Sequence, residues 1–295
     1  IALLERGEWK IIARKIILPT YEVFDEKRYF RSEEKVSILT KKIHNKTWRI
    51  GFTICEDLWV NKNIEGRGIH KENPISELKK KKVDILVNLS ASPYTFKKLE
   101  LRSKVSSFAA KYLQVPLIYV NQIGANDNLI FDGNSFILDK NGSKIRQLKS
   151  FSEDLSSWHI KQTIPEKKEF EQSEISSIFD ALVLGVRDYA QKCGFKTALI
   201  GLSGGIDSAL VSAIATAALG SNNIYCVSMP SKWSSSHSKS DAKDLARRLK
   251  INFNSIPIEN LMNSFEESFI KTISFEMAEI TNQNIQSRIR GTLLM

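Results

Sequence analysis

Cysteine is scarce, with 3 residues in a chain of 295. Cys55, Cys193 and Cys226 are too few for a disulfide framework, which points to a reducing, cytoplasmic setting. They are also too scattered to build a metal site by local spacing. No apolar run approaches the roughly 20 residues that span a bilayer, so no membrane partner is expected. Glu5, Arg6, Glu8 and Lys10 interrupt the first segment, which reads as strand and not as a secretion signal. With Ile1 in place of Met and an apolar Leu293-Leu294-Met295 at the other end, both ends read as cut. Internal repeats, low-complexity tracts and an aromatic-interleaved basic ribbon are all missing. The formal charge of +10 sits largely on Lys along helix faces, as in Leu78-Lys79-Lys80-Lys81-Lys82. That is a solvated surface, and no nucleic-acid partner is expected from it.

What is present is an ordinary globular composition, 42% hydrophobic and 26% charged, at a length that suits two domains. Residues 49–54, 83–89 and 116–121 are short β-branched and aromatic runs that predict buried strands. Leu101, Val105, Phe108, Ala109, Tyr112 and Leu113 recur at helical spacing between the last two, completing a strand–helix–strand unit. Residues 135–145 read as a hairpin around Asn141-Gly142. Residues 151–172 then change character: Ser, Glu and Lys dominate, Pro165 interrupts, and Glu166-Lys167-Lys168-Glu169 is charged. This predicts a linker between a domain at 1–150 and another at 173–295. The second begins with a helix whose expected buried face is Ile178, Leu182, Gly185, Val186 and Tyr189. Strands at 197–202, 224–229 and 253–258 alternate with helices at 207–219 and 240–250, the pattern of βαβ units on a parallel sheet. The fold class expected throughout is α/β.

The strand at 197–202 runs into Ser203-Gly204-Gly205-Ile206-Asp207-Ser208, which opens directly into an apolar helix. Glycines let the backbone approach an anion and take positive φ. The helix start offers unpaired N–H groups and the positive end of its dipole, and Ser203 and Ser208 add hydroxyls. Asp207 is an odd residue beside an anion unless Mg²⁺ lies between it and phosphates. The Gly-x-x-x-x-Gly-Lys-Ser/Thr spacing of a Walker loop is absent. The segment resembles instead the Ser-Gly-Gly-x-Asp-Ser loop of the ATP pyrophosphatase superfamily, enzymes that cleave ATP between its α- and β-phosphates. That resemblance implies a Rossmann-like adenine nucleotide alpha hydrolase domain, with ATP on Gly201, Leu202, Ser203, Gly204, Gly205, Ile206, Asp207 and Ser208 and the metal on Asp207.

Cys55 ends a buried strand and is followed by Glu56-Asp57-Leu58-Trp59. A thiolate needs positive charge nearby, and a tetrahedral intermediate needs donors for its oxyanion. Lys15, in Arg14-Lys15-Ile16-Ile17-Leu18-Pro19, together with the backbone N–H after Cys55, would supply both. Residues 15–30 resemble the lysine segment of nitrilase-type amidases and, more narrowly, of the glutaminase domain of glutamine-dependent NAD synthetases. Asn88-Leu89-Ser90-Ala91-Ser92-Pro93-Tyr94 and Asn121-Gln122-Ile123-Gly124 match the same family. In the second half, Met229-Pro230-Ser231-Lys232-Trp233-Ser234-Ser235 resembles its Met-Pro-Ser-Arg-Tyr-Ser-Ser segment, with Trp233 in place of Tyr. Asn284-Ile285-Gln286-Ser287-Arg288-Ile289-Arg290-Gly291 resembles its dinucleotide-contacting stretch.

The resemblance covers nearly the whole chain. It implies a nitrilase-like α-β-β-α sandwich followed by the Rossmann-like domain, both partial, in a homo-oligomer. It makes Cys55 the nucleophile and Lys15 its oxyanion and proton-handling partner. Tyr21, Ser92 and Lys98 would hold glutamine, and Asn284 would contact deamido-NAD. The implied reaction is ATP-dependent amidation of deamido-NAD with ammonia from glutamine. The family's catalytic Glu belongs to a segment expected before Ile1, and its Thr-Gly-Asn-Lys-Ser-Glu segment is expected beyond Met295. Glu26 and Glu56 read as accessory carboxylates. Other readings are a tRNA-modifying ligase with the same loop, a plain amidase with a regulatory nucleotide-binding domain, and a catalytically silent scaffold.

Overall fold

The computed structural model describes residues 1–21, 23–60, 73–160, 173–273 and 278–295. Its contacts divide the chain into two compact units, Ile1–Ala181 and Leu182–Met295. Of the expected linker at 151–172, the described residues 151–160 fall in the first unit, while 161–172, with Pro165 and Glu166-Lys167-Lys168-Glu169, lie outside the described residues. At its start, Phe151 is buried and meets Tyr94 edge-on, with ring centroids 5.4 Å apart.

The first unit opens with a hairpin, β1 (Ala2–Glu5) and β2 (Glu8–Ile11), turning at Arg6-Gly7, where both residues have positive φ. Helix α1 (Glu26–Tyr29) follows, then β3 (Ile38–Ile43), β4 (Lys46–Ile54), α2 (Pro74–Lys80), β5 (Ile85–Ser90), α3 (Lys98–Leu113) and β6 (Leu117–Asn121). The short strands β7 (Ile123–Asn126) and β8 (Leu129–Asp132) pair with each other; β9 (Phe136–Leu138) and β10 (Lys144–Gln147) form the expected hairpin. A six-stranded sheet runs β10-β9-β6-β5-β4-β3, parallel through β4, β5 and β6 and antiparallel at its flanks.

β4 begins three residues earlier than the strand expected at 49–54, because Lys46 to Trp48 pair antiparallel with β3. α2 starts where Asn73 accepts from the Ser76 N–H at 2.9 Å and Pro74 takes the first helical position. Leu78, Val105, Ala109 and Ala110 from α2 and α3 pack with Leu86, Leu117 and Tyr119 of the sheet. Each fully buried Leu here contributes roughly 1.5–3 kcal/mol. The helix lies so close to β4 that a Cβ on Gly51 would sit 3.0 Å from both Leu78 and Val83.

In the second unit, α4 (Glu174–Cys193) contains the division point and leads to β11 (Ala198–Gly201), α5 (Ile206–Leu219), β12 (Ile224–Ser228), α6 (Ser236–Leu249), β13 (Asn252–Ser255), α7 (Glu259–Ile273) and α8 (Glu279–Leu294). β11, β12 and β13 form the expected parallel sheet. The expected buried face of α4 is wrong: Ile178, Leu182, Val186 and Tyr189 are exposed, whereas Ala181, Val183, Leu184 and Ala190 are buried. The apolar stripe of this helix is one-sided, and only its edge at Val183 and Ala190 is covered, so what packs on the helix and not its periodicity selects the buried residues. α6 starts earlier than expected because Ser235 caps it, accepting from the Ser238 N–H at 3.0 Å. Among the described residues, no helix is long and apolar enough to cross a membrane.

Candidate active sites

Cys55 stands where β4 stops and a one-turn 3-10 helix, Cys55–Leu58, begins. Its φ of 49° is left-handed, a strained conformation for a residue with a side chain. The turn thrusts a half-buried thiol into a cleft of ≈ 1240 Å³ that Lys15 also lines. Burial pushes the Cys55 thiol above its usual range, and the Lys15 ammonium opposes that shift. Lys15 itself is gripped by Glu26, with Nζ donating to Oε1 at 2.7 Å and Oε2 at 2.6 Å. Glu26 therefore fixes where the ammonium can point.

Behind the thiol the strands carry a polar chain. Asn88 donates across to Thr53 Oγ1 at 3.0 Å, and Ser90 donates to Asn88 Oδ1 at 2.6 Å. Beside it, Glu56 is buried, which lifts its carboxyl from 4.5 to about 7 against the pull of Lys15 and Lys98. The Tyr21 hydroxyl donates to Glu56 Oε2 at 2.8 Å. The Lys98 ammonium lies 5.2 Å from the centre of the Trp59 ring.

Tyr21, Ser92 and Lys98, separated widely in sequence, all line this one cleft. Ser92 is held from behind, since Arg102 Nε donates to its hydroxyl at 3.1 Å. Arg102 Nη2 donates to the carbonyls of Ser92 at 2.7 Å and Pro93 at 3.0 Å, and its Nη1 donates to both carboxylate oxygens of Asp132 at 2.7 and 3.0 Å. Arg102 is fully buried. Sequence reasoning assigned no role to Arg102, Asp132 or Asp57. An Arg inside an apolar helix pattern and an Asp two residues after a strand-end cysteine are the available signals.

The second candidate site lies at the end of β11. Gly204 takes φ +87, and a Cβ there would fall 2.1 Å from the Ser238 carbonyl oxygen at the start of α6. Only glycine fits that approach. The Ser203 and Ser208 hydroxyls are 3.0 Å apart, the Gly205 N–H donates to Ser203 Oγ at 3.2 Å, and Ser208 Oγ donates to the Gly205 carbonyl at 2.9 Å. These bonds brace the turn against the helix start. Asp207, in the first turn of α5, is exposed. Gly201, Leu202 and Ser203 line a cavity of ≈ 310 Å³ with Lys239 and Arg290. Arg290 is anchored by donating to the Met229 carbonyl at 3.0 Å. Asn284 is exposed on α8 and does not line this cavity. Among the described residues, no group of three or more His, Cys, Asp or Glu is placed to hold a metal ion.

A model of the carbon-nitrogen hydrolase family matches residues 1–168, and one of NAD synthase matches residues 178–295. The chain is 44% identical over 298 residues to a glutamine-dependent NAD(+) synthetase of Synechocystis sp., covering 99% of this chain and 53% of that protein. It is 37% identical over 301 residues to the enzyme of the same name from Acinetobacter baylyi, covering 100% of this chain and 52% of that protein. The solved structure of glutamine-dependent NAD+ synthetase from Acinetobacter baumannii in complex with adenosine diphosphate matches with a TM-score of 0.86 at 36% identity. That match covers 100% of this chain and 54% of the other. The chain spans about half the length of the curated relatives it matches. It belongs to the carbon-nitrogen hydrolase family through residues 1–168, with an NAD synthase segment following in the same chain.

Proposed function

We propose that the protein makes NAD from deamido-NAD, ATP and glutamine, releasing AMP, pyrophosphate and glutamate. The observation that carries this reading is the pairing, in one chain, of a left-handed Cys55 turn sharing a cleft with Lys15 and a glycine-opened turn at 203–208. Each suits one half of the reaction. Cys55 attacks the side-chain amide of glutamine, Lys15 stabilises the oxyanion, and the thiol proton leaves with ammonia. Water then cleaves the glutamyl thioester. Tyr21, Ser92 and Lys98 form the wall that holds the amino acid; the Lys98 ammonium suits its carboxylate.

In the second unit, the loop N–H groups and the Ser203 and Ser208 hydroxyls hold the phosphates of ATP. The carboxylate of deamido-NAD attacks the α-phosphorus, pyrophosphate departs, and ammonia displaces AMP. Mg²⁺, when bound, neutralises charge on the departing pyrophosphate. Asp207, exposed in the first turn of α5, would hold the ion, and among the described residues no cluster of carboxylates or imidazoles competes with it. Asn284 is assigned to the dinucleotide on its motif. A homo-oligomer acting on small molecules in the cytoplasm completes the reading, and the protein's domains are 1–150 and 173–295 about a linker at 151–172.

The test uses the full-length protein. Cys55→Ala should abolish glutamine-dependent synthesis and spare ammonia-dependent synthesis. Asp207→Ala should remove synthesis from either nitrogen source and spare glutamine hydrolysis. Formation of ADP and phosphate in place of AMP and pyrophosphate would sink the assignment of the loop.

A further inference from the structure

Asp57 lies two residues past Cys55 and is 2% exposed. Its Oδ1 accepts the backbone N–H groups of Ile16 at 3.0 Å and Ile17 at 2.7 Å, and its Oδ2 accepts that of Ile54 at 3.0 Å. Ile16 and Ile17 directly follow Lys15, and Ile54 directly precedes Cys55. The two segments are 40 and 41 residues from each other by these bonds. No strand ladder joins them, because the neighbours of β4 in its sheet are β3 and β5. One carboxylate therefore binds the backbone on the lysine side and on the cysteine side of the cleft.

A buried carboxylate is a costly way to join two segments, and apolar packing stabilises as well. What it adds is direction. Three N–H groups converging on two oxygens fix the relative placement of their peptides to within hydrogen-bond tolerance. The Ile54 bond also spans the residue that takes φ 49°, so the same group braces the left-handed turn.

We propose that Asp57 is a positioning residue for the chemistry of Cys55, setting the Lys15 ammonium against the sulfur and holding the turn that presents it. The proposal rests on the amidase reading of Cys55 and Lys15. In Asp57→Asn one oxygen becomes an NH₂ group, which faces an N–H donor and cannot accept from it. Either the Ile54 bond or the Ile16 and Ile17 pair is lost, and Lys15 and Cys55 come out of register.

The experiment is run in the full-length protein carrying Cys193→Ala, which removes the exposed thiol of this segment, with labelling at Cys55 read by peptide mass spectrometry. Asp57→Asn should lower the glutamine-dependent kcat by roughly 100-fold, the cost of a misplacement near 1 Å. The KM for glutamine should stay within about threefold, and ammonia-dependent synthesis should be unchanged. Alkylation of Cys55 by iodoacetamide at neutral pH should slow roughly tenfold. Its pH profile should move upward, because the Lys15 cation would no longer offset burial and the facing carboxylates of Glu56 and Glu26. A variant that merely loses thermal stability, with kcat and the alkylation profile intact, would overturn the proposal. Should Asp57→Asn fail to fold, hydrogen exchange in the parent decides. The Ile16 and Ile17 amides should be as protected as those within β4, and exchange at open-loop rates would refute the staple. If Cys55→Ala retained full use of glutamine, the amidase reading would fall with no Asp57 variant involved, and the two failures are thereby told apart.

Discussion

Gly204→Ala is the sharpest test of how the second site is built. Gly204 has φ +87, which costs an L-residue about 1–2 kcal/mol. Its added Cβ would also lie 2.1 Å from the Ser238 carbonyl oxygen and 2.8 Å from the carbonyl carbon and Cα of the same residue. These are backbone atoms at the start of α6, where Ser235 caps the helix, and no side chain can swing aside. Relief requires the loop or the helix end to move by about 1 Å. If the loop positions ATP as proposed, a displacement of that size costs on the order of 100-fold in rate.

The neighbouring glycine supplies the control. Gly205 has φ −85, and a Cβ there would meet nothing closer than Ser203 Oγ at 3.4 Å, an ordinary contact. Alanine at that cap position costs at most about 1 kcal/mol. In the full-length protein, Gly204→Ala should lower Tm by several degrees more than Gly205→Ala. It should also cut ammonia-dependent NAD formation by roughly 100-fold while glutamine hydrolysis persists. Calorimetry and the two activity assays read this directly. If Gly204→Ala were as stable and active as the parent while Gly205→Ala was the damaging change, the close approach of loop and α6 would be refuted.

Two further predictions concern the first unit. Arg102→Lys keeps a charge beside Asp132 but cannot serve Ser92 Oγ and the Ser92 and Pro93 carbonyls as well. It should destabilise by about 1–3 kcal/mol in urea titration through the acceptors left unsatisfied and raise the KM for glutamine, because Ser92 and Pro93 line the cleft; an unchanged KM would disconnect the network from binding. Burial raises the Glu56 carboxyl from 4.5 to about 7, so the folded chain holds this proton more tightly than the unfolded chain. The resulting stabilisation is complete below pH 4.5 and is lost as pH rises through about 7. Glu56→Gln, which still offers the Tyr21 hydroxyl an acceptor, should remove that part of the fall in denaturation midpoint. An identical slope in parent and variant would show that Glu56 does not titrate there.

The parts of the molecule that were legible in the sequence are those whose physics is local. The turn at 203–208 needs a strand, two glycines and a helix start in succession, and all lie within a few bonds of one another. The strands at β5 and β6 announce themselves as apolar runs, and Ser235 marks the start of α6 once its cap is seen. The determinants of the first site are different in kind. Arg102 meets Asp132 across 30 residues, and Asp57 meets Ile16 and Ile17 across 41 and 40. No periodicity or spacing rule can report a hydrogen bond between segments that only the fold brings together. A motif names Cys55 and Lys15 as a pair, but their relative placement is set by Asp57 and Glu26, which the sequence displays only as ordinary charged residues. The exposed stripe of α4 fails for a related reason: periodicity locates the apolar stripe of a helix, but which part of it is covered is decided by what packs there. In this chain the candidate reacting groups are therefore written locally, and the bonds that hold the segments carrying them are made by buried charges at long range. Substitutions at those charges should accordingly change rate and pH profile before they change which reaction is catalysed.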